Sequence, residues 1–141
     1  MFMGEFNHTI DAKSRLFLPA KYREMIGNNN IYFGKWPEGC LYIMTEEYWE
    51  DFVNRASETL PNTENLDTFR RLFGWTTSTS LDSQGRILIS PGFMEFAGLT
   101  DKAVIVGCGK RAEIWSPERW QHFNDNYDNN KMIKVLTDNR L

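Results

Sequence analysis

An aspartate and an arginine four residues apart, separated by turn-forming residues, occur twice in this 141-residue chain: Asp11-Ala12-Lys13-Ser14-Arg15 and Asp82-Ser83-Gln84-Gly85-Arg86. Each is followed at once by an apolar triplet, Leu16-Phe17-Leu18 and Ile87-Leu88-Ile89. Such a pair has two chemistries open to it. The carboxylate and guanidinium can close the turn on each other. Alternatively the turn holds the guanidinium outward, where its planar fork grips phosphate or guanine with two hydrogen bonds. The turn alone leaves both readings open. Lys13 inside the first turn, with Lys21 and Arg23 shortly after it, favours nucleic acid for the first copy. Gln84, Gly92 and Met94 stand at the matching positions of the second, so the first half is expected to dominate such contact.

Little else offers chemistry. His8 and His122 are the only histidines and lie far from Cys40 and Cys108 in sequence. The short paired spacings of a zinc site are absent, and so is a nucleophile elbow. Gly107-Cys108-Gly109-Lys110 lacks phosphate-loop spacing and falls inside an expected hairpin, so it reads as a turn. No catalytic residue, metal or cofactor is expected, and the chain reads as a non-enzyme.

The elements that must position the two turns repeat with them, at an offset of 71 residues. Glu24 matches Glu95, Gly27 matches Gly98, Ile43 matches Ile114, Trp49 matches Trp120 and Phe52 matches Phe123. This is an internal duplication. Each half reads as a strand into the turn, a short buried strand out of it, and a short helix that starts near Pro19 or Pro91 and ends at Gly27 or Gly98. A hairpin and a second helix follow, Thr45 and Ser116 being good N-caps. Trp49 and Trp120, each three residues before a Phe, read as helix core rather than base-stacking platforms. Residues 62–74 carry apolar positions at helical spacing and read as a linking helix. The stretch from Asp128 onward is polar and Asn-rich, and is expected to fray.

Composition bounds the rest. Aromatic content of 14% supports a folded core, but a repeat of about 70 residues is marginal alone, so the halves should pack together. No apolar run approaches a membrane span. The first residues lack the basic and apolar regions of a signal peptide, so reduced thiols in a cytoplasm are expected. The net charge of −3 argues against nucleic acid at first sight. Its distribution weakens the objection: residues 1–36 hold five basic side chains against three acidic, and residues 37–70 hold eight acidic against two basic.

Met1-Phe2-x-Gly4-x-Phe6, Ile10-Asp11-x-Lys13-x-Arg15-Leu16 and Leu18-Pro19-Ala20-Lys21-Tyr22-Arg23-Glu24 together closely resemble the start of the bacterial MraZ proteins. Leu81-Asp82-x-Gln84-Gly85-Arg86-Ile87-Leu88-Ile89, Phe96-Ala97-Gly98-Leu99 and Glu113-Ile114-Trp115 resemble their second half. The resemblance, over residues 1–124, implies an α+β fold of two tandem AbrB-like swapped-hairpin β-barrel modules forming a pseudo-dimer with flanking helices. On that basis residues 1–61 form the first module, 62–74 the linking helix, 75–127 the second module and 128–141 the tail. It implies a cytoplasmic, nucleoid-associated transcriptional regulator, often a repressor. Such a protein assembles into homo-oligomeric rings on repeated double-stranded DNA boxes upstream of its own division and cell-wall operon. The implied DNA contacts are Lys13 and Arg15, with Arg86 at the matching position; Lys21 and Arg23 are candidate phosphate contacts, and Asp11, Asp82 and Gly85 shape the turns. Two departures stand out: Ser14 replaces the usual Gly, which strains or alters the first turn, and Ser90 replaces a usual Pro, which loosens a helix start. The rivals are a protein-interaction module of antitoxin type, which an apolar tail would favour and this polar tail disfavours, and an RNA binder.

Overall fold

A strand that leads into a turn cannot satisfy its outer backbone edge alone, and here each half borrows the other's strands to do so. The structure, a computed structural model, describes residues 1–59 and 65–141. The first half contains β1 (Glu5–Thr9), β2 (Arg15–Phe17), α1 (Ala20–Ile26), β3 (Ile31–Trp36), β4 (Cys40–Thr45) and α2 (Glu46–Thr59). After α3 (Leu66–Gly74) the second half repeats the order as β5 (Thr76–Thr79), β6 (Arg86–Leu88), α4 (Pro91–Ala97), β7 (Lys102–Gly107), β8 (Ala112–Trp115) and α5 (Pro117–Asn126). A last helix, α6, spans Asn129–Asp138. Positions 62–64 of the expected linking helix lie outside the described residues.

Six strands form one antiparallel sheet in the order β1-β7-β8-β4-β3-β5. Strand β1 of the first half lies on the second half's hairpin, with Glu5 opposite Val106. Strand β5 of the second half lies on the first half's hairpin, with Ile31 opposite Thr79. The two hairpins meet at β4–β8, where Leu41 faces Ile114 and Ile43 faces Ala112. The order therefore reads alike from either edge, about a pseudo-twofold between Tyr42 and Glu113. A separate antiparallel ribbon, β2–β6, crosses the same axis with Leu16 opposite Ile87. Leu16, Leu18, Ile87 and Ile89 turn inward and are buried with Phe2, Ile31, Phe33 and Ile43 in the main core.

Helix starts follow the local chemistry. The Thr45 hydroxyl accepts from the Tyr48 amide at 3.2 Å, and the Ser116 hydroxyl from the Arg119 amide at 3.1 Å. Ser90 does not loosen α4 as expected. Its hydroxyl accepts from the Phe93 amide at 3.2 Å with Pro91 at the first helical position, satisfying an amide that a proline at 90 would leave open. Nor is the tail frayed: Asp128 caps α6 through the Asn130 amide at 2.9 Å. Met132, Ile133, Val135 and Leu136 gather on that helix and are exposed, so the tail carries an apolar face that its polar composition concealed. Trp49 is buried, stacked on Tyr32 at 5.0 Å. Trp120 is only half-buried, its indole N–H donating to Glu5 at 2.9 Å.

Candidate nucleic-acid interface

Each Asp-x-x-x-Arg turn closes on its own residues. Asp11 Oδ1 accepts from the amides of Lys13 and Arg15, both at 2.9 Å, while Oδ2 accepts from Arg15 Nε at 2.7 Å. Asp82 repeats this with the amides of Gln84 and Arg86, at 2.9 and 3.0 Å, and with Arg86 Nε at 2.7 Å. The arginine amide, then the guanidinium and the second amide, hold each carboxyl below its ordinary range against the opposing cost of desolvation. The ion pair engages only Nε, and the terminal guanidinium nitrogens of Arg15 and Arg86 make no other hydrogen bond among the described residues. The turn-closing role is therefore real, and in both turns it engages Nε rather than the terminal nitrogens of the fork.

The two turns sit at opposite ends of the β2–β6 ribbon, because its strands run antiparallel. On the ribbon's outer face Arg15 lies opposite Leu88 and Phe17 opposite Arg86. The Arg15 side chain is 32% exposed and that of Arg86 14%, since the Arg86 guanidinium lies over the Phe17 ring at 5.5 Å. Lys13 is exposed at the tip of the first turn, as is Gln84 at the tip of the second. Ser14 holds a left-handed φ of 60° where the second turn has Gly85 at 81°, so the strain expected of a serine there is present in the backbone.

Lys21 and Arg23 follow the first motif in sequence, but β2 carries the chain away from the first turn. The Leu18 amide donates to the Gly85 carbonyl at 3.2 Å, and α1 begins two residues later. Arg23 reaches the second turn: a Cβ built on Gly85 would lie 2.2 Å from Arg23 Cδ. Arg23, Gly27 and Asn29 also line a shared cavity with Leu81, Asp82 and Gln84. His8 feels the same cation, which adds to burial in lowering its pKa. The grouping of Arg23 with the first turn is thus corrected. Lys21 is exposed on the same helix.

Sequence reasoning passed over Phe17 and Leu88, which are 42% and 66% exposed. They look like core triplet members, yet strand alternation places them on the arginine face, and reading i and i+2 together would have found them. Lys35, counted among the basic residues of the first 36, lies instead over the rings of Trp75 and Phe96. Among the described residues no cluster of His, Cys, Asp or Glu could hold a metal, and no helix is long and apolar enough to cross a membrane. Cys40 is buried and Cys108 exposed, both free.

The sequence duplication has a counterpart among known proteins. The family model for the MraZ protein, described as antitoxin-like, matches residues 1–70 and again 72–138, one match for each half. The chain belongs to the MraZ family. It is 39% identical over 131 residues to the transcriptional regulator MraZ of Ligilactobacillus salivarius (strain UCC118), covering 92% of this chain and 91% of that one. With the MraZ regulator of Lachnoclostridium phytofermentans it shares 38% over 129 residues, 92% and 89% of the two chains. With that of Roseiflexus sp. (strain RS-1) it shares 39% over 135 residues, 94% and 93%. These MraZ relatives are named as regulators of transcription rather than enzymes. The two MraZ matches join within α3, where the second half takes over from the first.

Proposed function

We propose that this protein is a non-enzymatic transcriptional regulator that binds double-stranded DNA through the two turns of the β2–β6 ribbon. The observation that carries this is the pair of arginines fixed by aspartate through Nε alone, with the more exposed Arg15 free to present the outer edge of its fork. That pre-orients a bidentate donor at little further entropic cost. Arg15 and Lys13 act at the first turn, Arg86 and Arg23 at the second, and Lys21 lies on the same helix as a phosphate contact. Their shared ribbon puts both turns on one element, as a groove-reading ribbon requires.

The exchange of β1 and β5 supports two AbrB-like swapped-hairpin modules, residues 1–61 and 75–127, joined through 62–74. On this reading the protein is cytoplasmic and nucleoid-associated. It assembles as a homo-oligomeric ring on repeated boxes and represses the division and cell-wall operon that begins with its own gene. Few cations per subunit then suffice, because repeated boxes multiply weak contacts by roughly 10²–10⁴ in avidity. The test is a mobility shift on DNA just upstream of the gene, comparing wild type with Arg15→Ala across a salt series. A specific shift that weakens steeply with salt and is lost in the variant supports the reading. No shift at low salt, or equal binding to one box and to three, overturns the DNA or the multivalent part respectively.

A second reading, a protein-interaction module of antitoxin type, gains from the antitoxin-like family description and from the exposed apolar face of α6. It predicts a tight one-to-one complex with a small protein partner and no shift of duplex DNA.

A further inference from the structure

The duplication supplies a template for a surface that the second half leaves open. In the first half Trp49 and Phe52 stack on α2 at 5.9 Å, and the next helix in the chain, α3, turns back so that Phe73 meets Trp49 edge-on at 5.6 Å. In the second half the matching Trp120 and Phe123 stack at 5.2 Å, and Tyr127 extends the row at 5.5 Å. Here the next helix, α6, does not return. A groove of about 590 Å³ stays open, floored by Trp115, Phe123 and Tyr127 and rimmed by Glu38, Glu118, Arg119 and His122.

Helix α6 has what that groove needs. Met132, Val135 and Leu136 recur at helical spacing with Ile133 beside them, all exposed. Lys131 is exposed on the same helix, and the groove rim offers two carboxylates beside the Arg119 guanidinium, which is itself engaged by the Gly39 and Phe96 carbonyls. Ten residues of isolated helix are marginal in water, below the roughly 12–15 that even good sequences need, so this face calls for a cover. Its own groove is out of reach without refolding. Only Tyr127 and Asp128 separate α5 from α6, both in extended backbone that carries α6 away, whereas residues 60–65 link α2 to α3. Short connections of this kind favour exchange between copies over return.

We propose that the α5 groove is the docking site for α6 of a second copy of this chain, donated head to tail. This deepens the homo-oligomer reading above and rests on it. A head-to-tail contact is heterologous, and it generates a ring when the rotation closes.

Light-scattering mass measurements on the full chain test this with two variants. Leu136→Asp breaks the arm and leaves the groove, and Phe123→Asp breaks the groove and leaves the arm. His122→Asp, on the rim and outside the ring stack, replaces the latter if its thermal midpoint falls. The wild type should be an oligomer and each variant alone a single chain. An equal mixture should give a pair and nothing larger, because one intact arm meets one intact groove. Wild-type mass retained by Leu136→Asp, including through return of α6 to its own groove, overturns the docking while self-assembly stands. Two single-chain variants that fail to pair overturn it as well. A wild type that is a single chain at every concentration overturns self-assembly and the docking together.

Discussion

The first and second turns share one backbone plan and differ in what surrounds it. At the first, Ser14 takes a left-handed φ that suits glycine, Lys13 stands at the tip and the Arg15 side chain is 32% exposed. At the second, Gly85 takes that conformation, Gln84 stands at the tip and Arg86 is held at 14% exposure over Phe17. The cation that the second turn lacks in its own loop arrives from the other half as Arg23, and glycine at 85 leaves room for it. Duplication therefore preserved the closure and redistributed the charge. The first turn is built outward, and the second is built into its surroundings.

Truncating each arginine should separate these roles most clearly. Arg15→Ala is expected to remove about 1–3 kcal/mol of specific binding, roughly a tenfold to hundredfold loss, with little change in thermal midpoint. Arg86→Ala should lose less affinity and more stability, because it unstacks Phe17. Filter binding and thermal melts on the two variants decide, and equal losses in both assays would erase the contrast. Gly85→Ala comes next: its Cβ collides with Arg23 at a positive φ, for an expected cost of about 1–3 kcal/mol in urea unfolding. Ser14→Gly should act in the opposite direction, gaining up to about 1 kcal/mol as the left-handed strain is relieved.

The smallest effect should be shared by both turns. Asp11 and Asp82 titrate below their ordinary 3.8 when folded, so their contribution is present at neutral pH and disappears as pH falls through the lowered folded values. His8 adds to the same trend earlier, since its folded pKa lies below 6.5 and charging it opposes folding. Urea midpoints measured down an acid series should show Asp11→Asn and Asp82→Asn flattening the lower limb equally, and His8→Gln flattening the upper one.

Much of this arrangement is legible in the amino-acid sequence. The offset of 71 residues is read by matching one half against the other, and the capping at Thr45 and Ser116 and the turn at Asp11–Arg15 rest on local chemistry, which sequence displays directly. Arg23 was placed at the wrong turn because adjacency along the chain is not adjacency across an antiparallel ribbon: three residues of β2 span the distance between the two turns. The open fork of Arg15 was legible only as one of two alternatives, since which nitrogen an aspartate engages is a matter of rotamer. α6 was misread because its cap, Asp128, and its apolar face are interleaved with Asn and Lys, which lower the average while leaving the periodicity intact.

The exchange of edge strands also sets a clock. Residues Glu5–Thr9 are made well before their partners, Lys102–Gly107. At about 5–20 residues per second of synthesis, β1 waits on the order of 5–20 seconds with its backbone unpaired. Phe2, which ends wholly buried and bridged to Gly109, waits longer still. The nascent first half thus remains an incomplete sheet until β7 of the second half has been made, and it is over that interval that the chain depends most on being shielded from its neighbours.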